Sequence, residues 1–215
     1  MIQVKAQEID IQRQQRWLYN NASFSLEGSS MWAVKGRNGS GKSTLLQLLI
    51  GYIEPTLGSI TWSIDQKEID RMDISQHISY ASPSMELPMH LTLKEFMHMH
   101  QTFKPFLVPL DAILDGLSLP KDVHLAKFST GMLQRVKLAQ ACYSRSKLVA
   151  LDEPMSNLDE EGKQWIESVL YGQESLFNDR LLLIASNDKR EVAPIKTTLQ
   201  TVSYTHLTLP TNRCV

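Results

Sequence analysis

The chain has 215 residues and 42% hydrophobic content, enough for one sizeable core or for one domain with a subdomain. Its 22 basic and 23 acidic residues leave a formal net charge of -1, which argues against a nucleic-acid or membrane-surface binder acting through bulk charge. Cys142 and Cys214 sit in no metal-ligand spacing and suggest no disulfide framework, which fits a reducing compartment. The N-terminal MIQVKAQEID has no basic-then-apolar signal pattern. The apolar runs LLQLLIGYI and LLLIA fall short of the roughly 20 residues of a membrane-spanning helix. A soluble chain is expected, one that meets a membrane only through a partner and takes no nucleic acid.

In chain order, SMWAV (30–34) reads as a short strand, KGRNGSGKST as a Gly-rich loop and LLQLLIGY as a buried helix stopped at Gly51. GSITWSIDQKEI (58–69) alternates and turns at Asp65 and Gln66, the pattern of a β-hairpin. From about 84 to 145 the character becomes helical, punctuated by Pro105, Pro109 and Pro120. Within it TLKE (92–95) has capping-box form, with Thr92 as N-cap and Glu95 reaching back. Met85, Met89, Met97 and Met99 suit packing or a soft partner surface. His98 and His100 are too close in sequence to share a helix face, so no metal site is expected with His90.

KFSTGMLQRVKLAQA (127–141) opens on a bare Ser129-Thr130-Gly131 turn. Leu133, Val136, Ala139 and Tyr143 fall near helical spacing, with Cys142 on the buried side. Gln134, Arg135, Lys137 and Gln140 fall between them, as on the polar face of an amphipathic helix. Such an N-terminus points backbone N–H groups outward and attracts an anion. KLVALDEP (147–154) and RLLLIASND (180–188) are continuous apolar strands, which imply a parallel sheet covered on both faces and an α/β fold. NDKRE reads as a solvated helix start.

Gly36-Arg37-Asn38-Gly39-Ser40-Gly41-Lys42-Ser43 fits G-x-x-x-x-G-K-[ST] in full, with Thr44 following, between an expected strand and an expected helix. Such a loop wraps phosphate oxygens with backbone N–H groups. Lys42 is expected to bridge the β- and γ-phosphates of ATP, and the Ser43 hydroxyl to ligate Mg²⁺. Asp152 and Glu153 close an apolar strand where α/β sheets bind ligands. Asp152 is expected to hold Mg²⁺, and Glu153 to polarise the attacking water as general base.

The order of these segments, P-loop, FSTGMLQRVKLAQA, LVALDEP and then SNLD, resembles the ATP-binding cassette (ABC) ATPase family over about residues 1–200. The resemblance implies a P-loop NTPase core of ABC type, with a mainly parallel sheet, an N-terminal antiparallel β region and a helical subdomain near 84–145. It implies two ATPase domains meeting head to tail as a homo- or heterodimer. Ser129 and Gly131, which match the Ser and second Gly of LSGGQ, would then touch ATP on the other domain, and Asp159 of SNLD would cross the interface. Thr130 and Met132 depart from that signature. The S-x-G-M-x-x-R form looks like cassettes that serve exporters.

Three further departures concern ATP use. The family's Gln-loop glutamine falls at Pro83, with Ser82 beside it. Asn187 stands where the switch histidine is usual. The adenine-stacking aromatic would fall near 12–14, which holds none, leaving Trp17, Tyr19 or Arg13. Lys42, Glu153 and Asn187 are the expected catalytic groups of an active but slow ATPase. It would power transport through a separate membrane subunit, on the cytoplasmic face of the inner membrane. The alternative is a weakly or non-hydrolysing ATP clamp in a heterodimer. The tail TVSYTHLTLPTNRCV (201–215) has no place in the cassette pattern, resembles a translated adapter fragment and is read as non-native.

Overall fold

The computed structural model of the chain describes residues 1–13, 16–172 and 176–200. In chain order its elements are β1 (Ile2–Arg13), β2 (Arg16–Glu27), β3 (Met31–Lys35), α1 (Lys42–Leu49), β4 (Leu57–Ile64), β5 (Lys67–Ile69), β6 (Ile78–Ala81) and α2 (Leu93–Phe103). Then follow α3 (Leu110–Leu117), α4 (Thr130–Tyr143), β7 (Leu148–Asp152), α5 (Glu160–Tyr171), β8 (Leu181–Ser186), α6 (Lys189–Val192) and β9 (Thr197–Gln200). The tail 201–215, with Cys214, lies outside the described residues, as does Gln14 of the adenine-facing stretch.

The first strands form a four-stranded antiparallel sheet in the order β2-β1-β4-β5. Ile2, Val4 and Ala6 alternate inward along β1, and Ile9 and Ile11 resume the inward face after a register shift between Ala6 and Ile9. β4 and β5 pair as the expected hairpin, turning through Asp65 at φ 50° and Gln66 at φ 67°. Positive φ at both central positions matches the right-handed twist of the flanking strands.

The second sheet is five-stranded and parallel, in the order β6-β7-β8-β3-β9. The central strands β7 and β8 are continuously apolar up to their last residues, Asp152 and Ser186, because both of their faces are covered. Leu148 and Ala150 of β7, with Leu181 and Leu183 of β8, pack with α1 and the antiparallel sheet. Val149 and Leu151, with Leu182 and Ile184, pack with α4 and α5 on the other side. The chain is thus of mixed α/β class, with a parallel sheet beside an antiparallel β region. α1 ends at Leu49, whose carbonyl accepts from Trp62 Nε1 at 2.8 Å, and Gly51 follows with φ 74°.

Helices α2, α3 and α4 enclose a separate apolar cluster that includes Phe96, Met97, Ile113, Leu114, Leu117 and Val136. The capping box at α2 is formed. Thr92 N–H donates to Glu95 Oε2 at 2.8 Å, and Glu95 N–H to Thr92 Oγ1 at 3.2 Å. His100 bonds the Ser144 hydroxyl at 2.7 Å and stacks on Phe106.

Two expectations are corrected. α4 is not an amphipathic helix with a wet polar face, because Gln134, Arg135, Lys137 and Gln140 are all buried. Each reaches a carbonyl or carboxylate of a neighbouring segment, so these polar groups stay bonded although buried. NDKRE is not wholly solvated either: Glu191 is 2% exposed.

Candidate functional site

The phosphate-type loop lies between β3 and α1, at the C-terminal edge of the parallel sheet, where open α/β sheets take ligands. Gly41 forms the N-cap of α1 with φ 95° and offers no side chain to the N–H groups of the first turn. Those groups point out of the helix as an anion site. A Cβ at Gly41 would press on Tyr19 and Leu18, at 3.3 and 3.4 Å, in a conformation that L side chains rarely adopt. The Tyr19 hydroxyl donates to the Gly41 carbonyl at 3.0 Å, tying β2 to the loop. Tyr19 is therefore buried and unable to stack on a base, whereas Trp17 near the start of the same strand is 48% exposed. Ser40 N–H donates to the Arg37 carbonyl at 3.1 Å and closes the turn.

Lys42 is folded back over its own loop. Its Nζ donates to the carbonyls of Gly36 at 3.1 Å and Arg37 at 3.4 Å, and lies 3.4 Å from Glu153 Oε1. Glu153 follows β7 with φ 46°, held by its N–H to the Ala185 carbonyl of β8 at 2.8 Å. A non-glycine residue in the left-handed region is uncommon and often marks a functional turn.

Asp152 ends β7 and is buried. Burial pushes its carboxyl above the ordinary carboxylate range, offset in part by a hydrogen bond from Ser43 and by the charge of Lys42. Its Oδ1 is buried without a protein partner. An orphaned carboxylate oxygen beside a hydroxyl is a hard-oxygen donor set that suits Mg²⁺. The residues present therefore fit the ion that P-loop chemistry requires.

Asn187 follows β8, and its Nδ2 donates to Asn38 Oδ1 at 2.5 Å, which places the switch position against the loop. A cavity of about 610 Å³ opens beside this pair, lined by Lys35, Gly36, Arg37, Ser186, Asn187 and Val192 among others.

Ser129, Gly131 and Asp159 form a second group. Ser129 caps α4 by accepting from Met132 N–H at 3.2 Å and is exposed. A Cβ on Gly131 would lie 2.7 Å from the Asn157 carbonyl, so the two turns touch backbone to backbone. Asp159 caps α5 through Gly162 N–H at 2.9 Å and pairs with Arg135 at 2.8 Å, which lowers its carboxyl below the usual range. Arg135 also holds Glu161 at 3.1 Å. Gln134 Nε2 reaches the Pro154 carbonyl at 3.3 Å, joining α4 to the segment after Glu153. At Pro83 no side-chain amide is present, and Lys137 Nζ donates to the Pro83 carbonyl at 2.7 Å.

Arg135, Gln134 and Lys137 thus brace the site from below, a role hidden in the sequence by their resemblance to solvated positions. Among the described residues no helix is long and apolar enough to cross a membrane.

Residues 19–156 match the sequence model of the ABC transporter family. The chain is 30% identical over 162 residues to the cytochrome c biogenesis ATP-binding export protein CcmA of Vibrio cholerae serotype O1, covering 73% of this chain and 78% of that one. It is 30% identical over 178 residues to the uncharacterized ABC transporter ATP-binding protein YybJ of Bacillus subtilis, covering 80% of each. A putative ABC transporter ATP-binding protein from Pyrococcus furiosus superposes with TM-score 0.78 at 19% identity, over 95% of this chain and 100% of that one. A solved ATP-binding subunit of an ABC transporter superposes with TM-score 0.80 at 20% identity, over 96% of this chain and 89% of that one. At those identities the likeness is one of fold.

Proposed function

From the premise that the chain belongs to the ABC transporter family, as an ATP-binding subunit and an ATPase, we propose that ATP is held on Gly36–Thr44 and hydrolysed at Glu153. The observation that carries this reading is the convergence of Lys42 Nζ, Glu153 Oε1 and the unpartnered Asp152 Oδ1 under a loop whose helix N-terminus is bare. Lys42 now spends its donors on loop carbonyls and Glu153, contacts that the more strongly charged phosphates of ATP outcompete. Releasing Lys42 frees the Glu153 carboxylate to accept a proton from water. Mg²⁺, held by Ser43 and Asp152, would supply charge neutralisation of the phosphate oxygens. Asn187 donates a neutral hydrogen bond where the family uses histidine, and the missing charge supports slow turnover.

Ser129 and Gly131 present the α4 N-terminus outward, and the second group is read as the cover for ATP bound to another ATPase domain. The membrane subunit is a separate chain, and this subunit meets the membrane on its cytoplasmic face through that partner. Similarity to CcmA, named as an export protein, supports outward transport. The clamp alternative is not favoured, since ABC ATP-binding proteins are ATPases and Lys42 and Glu153 are both in place. The test is steady-state phosphate release by the purified chain. Lys42→Ala and Glu153→Gln are each expected to lower kcat by about 10²-fold or more. Undiminished turnover in Glu153→Gln removes Glu153 from its role.

A further inference from the structure

Glu191 stands outside every motif of the site, yet it is the buried carboxylate that joins two sides of it. It lies in the single turn of α6, four residues after Asn187, and is 2% exposed. Its Oε1 accepts from the Met155 N–H at 2.7 Å. Met155 belongs to the turn that begins at Glu153, where Ser156 N–H donates to the Glu153 carbonyl at 3.0 Å. The Glu191 carbonyl in turn accepts from the Tyr171 hydroxyl of α5 at 2.7 Å. Its Oε2 is buried without a partner. A buried carboxyl with one bonded and one orphaned oxygen is costly. It is tolerated here where it satisfies a backbone N–H that the strained turn would otherwise leave unpaired.

We propose that Glu191 is a positioning residue for hydrolysis: its bond to the Met155 N–H holds the Glu153 turn in register with the Asn187 loop, so that both sides of the phosphate site move together. This rests on the reading of Glu153 as general base given above. The groups facing Glu191 are consistent with a carboxyl that keeps its proton near neutrality. They are Glu153 after β7, Asp188 ahead of α6, Tyr171 on α5 and the Ser186 hydroxyl at the end of β8. Burial raises Glu191 to about 7, with Glu153 and Asp188 pushing it the same way and the nearby Ser186 hydroxyl and the Met155 N–H opposing.

The test compares two variants of the full chain. Glu191→Gln keeps a carbonyl acceptor. Glu191→Met keeps side-chain volume and suits a buried site, but removes the acceptor. Amide hydrogen exchange of segment 153–158 is measured without nucleotide, and MgATP affinity and kcat are measured separately. For Glu191→Met, exchange about tenfold faster and kcat about tenfold lower are expected, with Kd within about twofold of the parent. For Glu191→Gln, all three are expected within about threefold of the parent.

Unchanged exchange and kcat in the Met variant overturn the proposal, as do parallel losses of Kd and kcat. A Gln variant with exchange about tenfold faster or kcat about tenfold lower than the parent does the same, and that measurement stands even where the Met variant does not fold. A parent chain with no Lys42-dependent hydrolysis refutes the ATPase reading instead, while the exchange data still decide whether Glu191 holds the turn.

Discussion

Lys42 and Asp152 illustrate how single groups are poised by their surroundings. The ammonium is nearly buried and satisfied by carbonyls of its own loop, while the carboxylate is buried with one oxygen unpaired. On the proposed reading, these are the groups that would meet a phosphate and its cation. Asn187 is a weaker element, since its amide is engaged by Asn38 and carries no charge. Asn187→His is expected to raise kcat by about tenfold or more, read as phosphate release at saturating MgATP. Unchanged turnover would show that the asparagine does not limit the rate.

Burial of Glu191 sets the sign of a pH dependence. The folded-state value of about 7 lies above the ordinary glutamate value of 4.5. Between those values the folded chain retains a proton that the unfolded chain has released. Stability is therefore full below the lower value, declines as pH rises through the window and levels off above about 7. The total is on the order of 3 kcal/mol. Urea midpoints of the parent should fall across this window, and those of Glu191→Gln should fall less. Equal slopes would mean that Glu191 does not carry the titration.

At the scale of elements, α4 is a strut that uses the polar side chains of Gln134, Arg135, Lys137 and Gln140 inward. Its N-terminal turn touches the Asn157 turn so closely that only a residue without Cβ fits at Gly131. The opposing atom is a backbone carbonyl, which cannot swing away as a side chain does. Gly131→Ala should cost about 1–3 kcal/mol and shift the turn that presents Ser129. Thermal melts test the first effect. The second would appear as weaker ATP-driven pairing, and a variant with parental stability and pairing would disprove the close contact.

The far end of α4 is secured by Arg180, just ahead of β8. It donates to the carbonyls of Cys142 at 2.6 Å, Ser146 at 2.8 Å and Ser144 at 2.9 Å. Removing it strands these acceptors in the interior, so Arg180→Ala should lose about 3 kcal/mol or more in denaturant unfolding. Arg180→Lys should recover only part, because one ammonium cannot reproduce the planar fork.

Across the whole molecule, the P-loop group and the Ser129 group are separate features of one chain, and each is read as half of a site. Pairing two chains head to tail would bring the halves together over ATP. Glu153→Gln, which should slow hydrolysis and preserve bound ATP, is expected to sediment as a dimer with MgATP and as a monomer without it. Adding Lys42→Ala should abolish the dimer. A chain that stays monomeric at saturating MgATP, alone and with its cognate subunit, would refute the head-to-tail arrangement.

Much of this was legible from local pattern. Gly36 through Ser43 declare the loop because its backbone conformation and charge depend on residues adjacent in sequence. The apolar runs of β7 and β8 declare a sheet covered on both faces, and Thr92 with Glu95 declare a helix start within a single turn. The resemblance implies the N-terminal antiparallel β region, but local pattern does not mark out β1 and β2, because a register shift interrupts their alternation and their inward faces are defined only against α1 and the parallel sheet. The burial of Tyr19, Arg135, Lys137 and Glu191 is illegible in the sequence for a related reason. A polar or aromatic side chain looks the same in sequence whether it meets water or a buried carbonyl. The sequence by itself determined where the glycine-rich loop lies and which carboxylates, Asp152 and Glu153, stand beside it. Only the tertiary structure decided which polar groups are buried to brace that loop, because burial and pairing are set by contacts between segments far apart along the chain.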